Sequence, residues 1–182
     1  MTTLVHSFNW PDRFVIGTVG EPGSRTFYAQ ARTGRQVISV AMEKQQAAAL
    51  AQGMDTLLDE VMSEEGNPAS VPAATPEGLQ DDGPLEQPLL EQFRTGSMTL
   101  SWDPSKAQVV FQAEPLIVVD EDDADVVDLD AEPAEVFVVR IPVGSARAFA
   151  ERARAVVGAG RPLCPICEEP MDPDGHTCAV TP

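Results

Sequence analysis

Residues 13–42 read RFVIGTVGEPGSRTFYAQARTGRQVISVAM, and this stretch decides the fold. Apolar and polar side chains alternate loosely within residues 13–19, 25–32 and 36–42, as they do in strands with one buried face. Gly20-Glu21-Pro22-Gly23 and Thr33-Gly34 supply turns that are short enough for hairpins. The stretch therefore predicts an antiparallel meander, preceded by a short strand over residues 5–9.

The apolar period changes after residue 43, where hydrophobic residues begin to recur at the spacing of one helix face. These residues are Ala47, Leu50, Ala51, Met54, Leu57, Leu58 and Val61. Gly53 weakens the helix by up to about 1 kcal/mol relative to alanine, which such a stripe tolerates. Residues 1–62 are thus predicted to form a β-meander with one helix laid on it.

Two segments without a period interrupt the rest of the chain. Residues 63–88 are rich in Pro, Gly, Ala and acids, a composition typical of a mobile linker. Residues 120–135 contain nine acids and no base, which favours a solvated insertion, with a partner-facing acidic segment as the alternative. Their spacing lacks the glycine and terminal glutamate of an EF-hand calcium loop.

A second set of elements is predicted between and after these segments. Strands are expected over residues 93–102, 108–119 and 136–141, and Pro115 is a candidate break in the second of them. Ser145 is a suitable N-cap for a helix that ends at Gly158-Ala159-Gly160. The apolar stripe of this helix consists of Phe149, Ala150, Ala153, Val156 and Val157.

The order of the elements repeats along the chain. Three pairs of segments can be aligned, namely 12–17 with 91–96, 27–31 with 109–113, and 37–40 with 136–139. Either the gene was duplicated, or two generic meanders resemble each other by chance. A duplication predicts an α+β fold in which two similar antiparallel β-meander-plus-helix halves, 1–62 and 89–158, pack about a pseudo-two-fold axis into one body.

The last part of the chain, residues 159–182, carries a C-x2-C-x8-H-x-C pattern formed by Cys164, Cys167, His176 and Cys178. Thiolate and imidazole are ligands that suit zinc, and two cysteines three positions apart lie on one tight turn. The pattern predicts a small knuckle folded around one structural Zn²⁺ ion. A redox dithiol and a free tail with unliganded thiols are the alternatives, but the first leaves His176 and Cys178 unexplained.

Composition excludes several classes of protein. Hydrophobic residues make up 43% of the 182 residues, which is enough for a folded body. No basic start followed by an apolar segment and no run of eighteen apolar residues is present, so neither export nor a membrane span is predicted. Three clustered cysteines fit a reducing compartment better than a disulfide framework, and we therefore expect a cytoplasmic protein.

The net charge of −17 argues against nucleic-acid binding, because lysine and arginine supply most of that affinity. The charge is uneven: residues 1–50 carry a net +2 and the remainder −19. Arg13, Arg25 and Arg32 could form a modest patch for an acidic partner or a small anion on the N-terminal sheet. His6, the one histidine outside the cysteine cluster, has no cysteine nucleophile beside it and is interpreted as structural.

Several longer stretches resemble a protein family. VHSFNWPDRFVIGTVGEPGSRTFY at residues 5–28, SVAMEKQQ at 39–46, and the endings CPIC and DPDGHTC are similar to an uncharacterised actinobacterial family of unknown function. The resemblance covers nearly the whole chain and implies a bacterial cytoplasmic protein. It also matches Cys164, Cys167, His176 and Cys178 to a terminal Cys/His pattern of that family, but it carries over no activity.

Together these observations favour a non-catalytic, zinc-binding interaction or adaptor protein with a protein partner. The alternative is an enzyme that acts on a small anionic or phosphorylated substrate, with the N-terminal arginines as clamps. No catalytic residue can be assigned from the sequence, because the abundant carboxylates are uninformative in so acidic a chain.

Overall fold

A mixed sheet of seven strands and two helices forms the body of the computed structural model, which describes residues 2–118, 131–169, 171 and 175–178. The strands are β1 (Leu4–Asn9), β2 (Arg13–Val19), β3 (Thr26–Thr33), β4 (Gln36–Met42), β5 (Glu91–Asp103), β6 (Gln108–Pro115) and β7 (Glu135–Pro142). The helices are α1 (Lys44–Met62) and α2 (Val143–Gly158). The protein is therefore α+β, and most of the predicted acidic insertion, 120–135, lies outside the described residues.

The sheet order is β1-β7-β6-β5-β4-β3-β2, so its two edge strands, β1 and β2, are consecutive in sequence. Only Trp10, Pro11 and Asp12 connect them. Six strand spacings would separate the edges of a flat sheet by about 29 Å, whereas four chain steps span at most about 14 Å. The sheet must therefore curl until its edges meet at this corner.

The bend between β1 and β2 is made at Trp10, whose φ of 54° places it in the left-handed region. Its N–H group donates to the carbonyl oxygen of Arg140 in β7 at 2.9 Å, which continues the parallel β1–β7 ladder by one residue. The chain then crosses to pair with β3. The two short strands act as one bent strand that links both edges of the sheet.

The registers of the hairpins repeat between the two halves of the chain. Phe27 of β3 lies opposite Met42 of β4, and Val109 of β6 lies opposite Ile141 of β7. These four positions agree with two of the sequence alignments, that of 27–31 with 109–113 and that of 37–40 with 136–139. The last two strands of each half, β3 with β4 and β6 with β7, are therefore paired in the same way.

The alignment of 12–17 with 91–96, which makes Phe93 equivalent to Phe14, disagrees with the strand registers. Phe8 of β1 pairs in parallel with Val139 of β7, and Phe93 of β5 pairs in parallel with Val40 of β4. Phe93 therefore occupies the position of Phe8. Sequence comparison was wrong here because the local match of Asp-Arg-Phe with Glu-Gln-Phe contains no information on which strand each phenylalanine faces.

One contiguous core joins the inner face of the sheet to both helices. Inward side chains alternate along the strands, as in Phe27, Ala29 and Ala31 of β3, all of which are buried. The predicted stripe of α1 is confirmed, since Ala47, Leu50, Ala51, Met54, Leu58 and Val61 are buried. Phe14 of β2 stacks on Phe149 of α2, with ring centroids 4.3 Å apart and an interplanar angle of 7°.

The two helices begin differently. At α1, Glu43 and Gln46 form a capping box, in which the N–H of Glu43 donates to the Gln46 side chain at 2.8 Å. Helix α2 begins three residues earlier than predicted, directly after Pro142, whose φ of −69° suits the entry to a helix. Ser145 therefore lies inside the helix, and its predicted capping role is wrong.

The segment expected to be a mobile linker packs against the body instead. Val71 and Leu85 are buried, and Leu85 fills the space left by the missing side chain of Gly17, where a Cβ atom would come within 2.6 Å of its Cγ atom. The buried side chain of Gln30 accepts a hydrogen bond from the N–H group of Glu86 at 2.7 Å. We call residues 79–90 the strap. It runs from helix α2, where Leu79 lies beside Gly144, to the outer face of β2 and β3, where Leu85 and Glu86 make the contacts given above.

Two arginines fix the strap at Asp81. The Arg13 guanidinium donates to both carboxylate oxygens of Asp81, at 2.6 and 2.9 Å, and Arg152 of α2 donates to Oδ1 of Asp81 at 3.1 Å. The hydrogen bond from Arg13 holds the pKa of Asp81 below its usual value. The strap is thus fixed by charged groups from a strand and from a helix.

Gly96 marks a second place where the backbone approaches closely. It lies in a β-bulge of β5, and a Cβ atom there would come within 2.8 Å of Leu116 Cα and of the Pro115 carbonyl oxygen. We expect Gly96→Ala to lower the free energy of unfolding by about 1–3 kcal/mol, because backbone atoms cannot move aside as a flexible side chain does. Denaturant unfolding measures the loss.

The matched control is Gly158→Ala at the end of α2, where nothing lies within 4 Å of the added methyl group. This change should leave stability unchanged or raise it by up to about 1 kcal/mol. Equal unfolding midpoints for the Gly96→Ala protein and the native protein would show that the bulge has room for a side chain.

Candidate metal centre

The first two predicted ligands, Cys164 and Cys167, lie on a tight turn. The N–H of Glu168 donates to the Cys164 carbonyl oxygen at 2.9 Å, and the N–H of Cys164 donates to the Glu169 carbonyl oxygen at 2.8 Å. Glu168 adopts a left-handed φ of 59°, which reverses the chain directly after the second cysteine. The turn presents both sulfur atoms on the same side.

The second pair, His176 and Cys178, lies close to the first pair. Gly175 precedes it with a φ of 112°, a conformation that residues with a side chain rarely adopt. Cys164 Sγ lies 4.0 Å from Cys178 Sγ, and Cys167 Sγ lies 3.1 Å from His176 Nε2. The structure therefore brings together all four residues that the sequence predicted.

The spacing of the four ligand atoms suits a small metal ion. All of them lie within 4.8 Å of one another. A tetrahedral zinc site with bonds of about 2.0–2.3 Å has ligand-to-ligand edges of about 3.6–3.8 Å, so sub-ångström side-chain shifts would complete it. This Cys3His cluster could hold a metal ion.

The backbone favours a thiolate at one of the cysteines. The N–H groups of Cys167 and Ile166 point at the sulfur of Cys164 and lower the pKa of this thiol to about 6. At Cys167 the N–H of Glu169 acts in the same direction, but desolvation and the hydrogen bonds with neighbouring thiols raise its pKa. The first ligand is therefore prepared for metal binding, because the thiolate is the form that binds.

The turn exposes apolar side chains as well as ligands. Leu163 is 60% exposed and Ile166 is 61% exposed, although Cys164 between them is buried. Ile166 lies between the two cysteines of the C-x2-C pair. The cluster thus sits under a small apolar surface that faces solvent.

The three N-terminal arginines do not form the patch that was expected. The side chain of Arg13 is only 12% exposed and is occupied by Asp81 and Glu86, and Arg32 lies 3.3 Å from the same Glu86. Both therefore belong to the attachment of the strap. The expectation that Arg13 offers a surface contact or a substrate clamp is wrong, since residues 68 and 73 positions away cover it.

Arg25 lies elsewhere, directly before β3. Its guanidinium carbon is 5.8 Å from the ring centroid of Phe27. It lines a cavity together with Lys44 and Arg161. Sequence reasoning missed Lys44 and Arg161 because they lie far from Arg25 in the chain. Their positive charge in a chain of net charge −17 was the available signal.

His6 has a structural partner. Its Nε2 atom lies 2.8 Å from Oε2 of Glu135, and Gln92 donates to the same carboxylate oxygen at 2.9 Å. The three side chains connect β1, β7 and β5. This arrangement agrees with the structural interpretation of His6.

No helix within the described ranges is both long enough and apolar enough to cross a bilayer.

Comparison with known proteins gives a family but no characterised relative. A family model with the description "Protein of unknown function (DUF3090)" matches residues 6–178, which extend from β1 to the last of the four clustered ligands. Neither the curated proteins nor the solved structures contain a match to the chain.

Proposed function

Because the chain belongs to the DUF3090 family of proteins of unknown function, we propose a role from its own geometry, that of a non-catalytic adaptor of the bacterial cytoplasm. In this proposal the C-terminal knuckle folds around one structural Zn²⁺ ion and presents a surface to a protein partner. The observation that carries the proposal is the approach of four ligand atoms to within 4.8 Å of one another. The actinobacterial origin implied by the sequence resemblance is part of the same proposal.

The ligand set supports zinc in a structural role. Three thiolates and an imidazole suit zinc, whereas magnesium and calcium prefer oxygen ligands. Four protein ligands complete a tetrahedron, which leaves no position for a catalytic water molecule. Because the tail is too short to bury a core of its own, the metal would provide the free energy that folds the tail.

The exposed leucine and isoleucine support the docking role. Leu163 and Ile166 are held on a turn that the metal would make rigid, so little conformational freedom of the backbone and side chains would be lost on binding. Burying each side chain in a partner is worth about 1.5–3 kcal/mol. The chain's charge of −17 supports a protein partner over a nucleic acid.

Ile166→Asp tests the docking role without removing a ligand. We expect this variant to keep its metal. In affinity capture it should lose the partner that the native protein retains, and titration with the purified partner should show at least a tenfold weaker interaction. Leu90→Asp is the matched control, since Leu90 is 73% exposed on the strap, away from the knuckle.

Two outcomes would count against the adaptor role. Equal retention of the partner by the Ile166→Asp variant and the native protein would remove the knuckle from the interface. Loss of the partner in both the Ile166→Asp and the Leu90→Asp variants would indicate a general effect of added charge.

We also infer that the two halves arose by duplication. The equal hairpin registers and the parallel pairs Phe8–Val139 and Phe93–Val40 support this inference. In the first half, β1 pairs with β7 and its continuation β2 pairs with β3. In the second half, the start of β5 pairs with β4 and the rest of β5 pairs with β6. Such an exchange is what a pseudo-two-fold axis through a curled sheet would produce.

A further inference from the structure

A cavity of about 360 Å³ lies between the body and the start of the knuckle. Its walls come from the β2–β3 turn, the beginning of α1 and the residues just before Cys164. The side chains that matter here are Arg25, Phe27, Glu43, Lys44, Arg161 and Leu163. The cavity is separate from the cluster of metal ligands, none of which lines it.

The charge of this cavity is opposite to that of the chain. Three of the twelve basic residues line it, against one of the twenty-nine acids. That acid, Glu43, is already engaged, since it pairs with Arg94 and caps the N-terminus of α1. An uneven distribution of this kind creates a local positive potential within an acidic protein.

Two of the three cations converge on one point of the cavity wall, and the third lies beside Gly23. The point where Gly160 would carry a Cβ atom lies 3.2 Å from Lys44 Nζ and 3.6 Å from Arg25 Nη2. The Arg161 guanidinium carbon lies 3.3 Å from the equivalent point at Gly23. Glycine at 160 therefore leaves room for the Lys44 and Arg25 head groups, and glycine at 23 leaves room for that of Arg161.

Within the part of the chain that the structure describes, neither Arg25 nor Lys44 has a carboxylate partner within 4 Å. Like charges at such short range repel each other, and this repulsion is relieved when an anion lies between them. Arg13, Arg147 and Arg152, by contrast, are each paired with aspartate. The arrangement at Arg25 and Lys44 is that of a receptor for an anion.

We propose that this cavity binds the phosphate group of a small phosphorylated ligand. Guanidinium groups match the geometry of phosphate oxygens, and an ammonium group adds a compact positive charge. The volume falls in the range of small-molecule sites, so it accommodates more than a single phosphate ion. The Phe27 ring and the Leu163 side chain provide an apolar wall for the remainder of the ligand.

The site would connect two parts of the molecule. Arg25 and Lys44 belong to the body, whereas Arg161 and Leu163 immediately precede the first metal ligand. A phosphate bound to both groups would fix the knuckle relative to the sheet. This inference goes beyond the adaptor role, because it requires neither the partner nor the exposed Ile166.

Titration calorimetry of the full-length, metal-loaded protein with inorganic pyrophosphate tests the site. We expect saturable binding to the native protein and at least a tenfold lower affinity in the Arg25→Gln, Lys44→Gln double variant, because two charge-assisted contacts are lost. The matched control is Arg35→Gln with Lys106→Gln, which removes the same charges from the exposed β3–β4 and β5–β6 turns. The control should bind as the native protein does.

Gly160→Met gives an independent test, since it keeps every charge and fills the cavity. We expect the same loss of affinity, with an unchanged melting temperature in the absence of pyrophosphate. The proposal is overturned if the native protein does not bind pyrophosphate saturably, or if the control pair loses as much affinity as the Arg25, Lys44 pair. Retained binding in the Gly160→Met variant would also overturn it.

Discussion

A protein in which Cys164 and Cys167 are both replaced by serine is expected to carry no metal, whereas the native protein is expected to carry one zinc ion per chain. Serine hydroxyls do not replace thiolates as zinc ligands, and the remaining pair, His176 and Cys178, cannot hold the ion alone. Metal binding supplies about 10–16 kcal/mol in isolated zinc-finger peptides, so the knuckle should lose its fold with the ion. Elemental analysis of protein purified without chelator measures the metal content directly.

Ile166→Ser is the control for this experiment, because it places a serine between the two cysteines and leaves all four ligands in place. It should retain the metal. The body should stay folded in both variants, since its core is built from the sheet and the two helices. Native protein without metal, with thiols that titrate freely, would contradict the zinc site and favour the redox or the free-tail interpretation.

The second large effect is expected at Arg147, where Arg147→Met should lower the free energy of unfolding by about 3 kcal/mol. Its side chain is 6% exposed and donates to Asp55 and Asp59 of α1 at 2.9 Å each. It also donates to the Pro72 carbonyl oxygen at 3.0 Å. Methionine fills a similar volume but leaves Asp55, which is 20% exposed, and the Pro72 carbonyl without this donor.

Arg154→Met on the same helix is the matched control. Arg154 also pairs with Asp55, but its side chain is 52% exposed. Solvent screens such a pair, so we expect a loss below about 1 kcal/mol. Chemical denaturation of the two variants gives the comparison, and similar losses for both would show that burial of Arg147 does not determine its contribution.

The elements of the fold could be predicted from the sequence because their signals are local. Alternation predicts strands at 13–19 and 36–42, and the structure has β2 and β4 with these bounds. The spacing of Ala47, Leu50 and Met54 predicts α1 for the same reason. The metal ligands belong to this group as well, since two short turns are enough to bring them together.

Strand order could not be predicted, because it depends on pairs that are far apart in the chain. Nothing in the local sequence of β1 specifies β7 as its neighbour, and the parallel β4–β5 pair requires the whole segment between them to fold back. The role of Arg13 depends on Asp81 in the same way. The anion cavity combines Arg25, Lys44 and Arg161, which no spacing rule connects.

The pairing of β1 with β7 has a consequence for the order of events during synthesis. A nascent chain can form the β2–β3–β4 hairpins and α1 early, because these contacts are local. Strand β1 leaves the ribosome before all of them, yet Phe8 cannot form its pair until Val139 of β7 has been synthesised. Of the seven strands, the earliest in the sequence therefore pairs with the latest. We expect an N-terminal fusion that hinders β1 to delay the final closure of the sheet while the early hairpins still form.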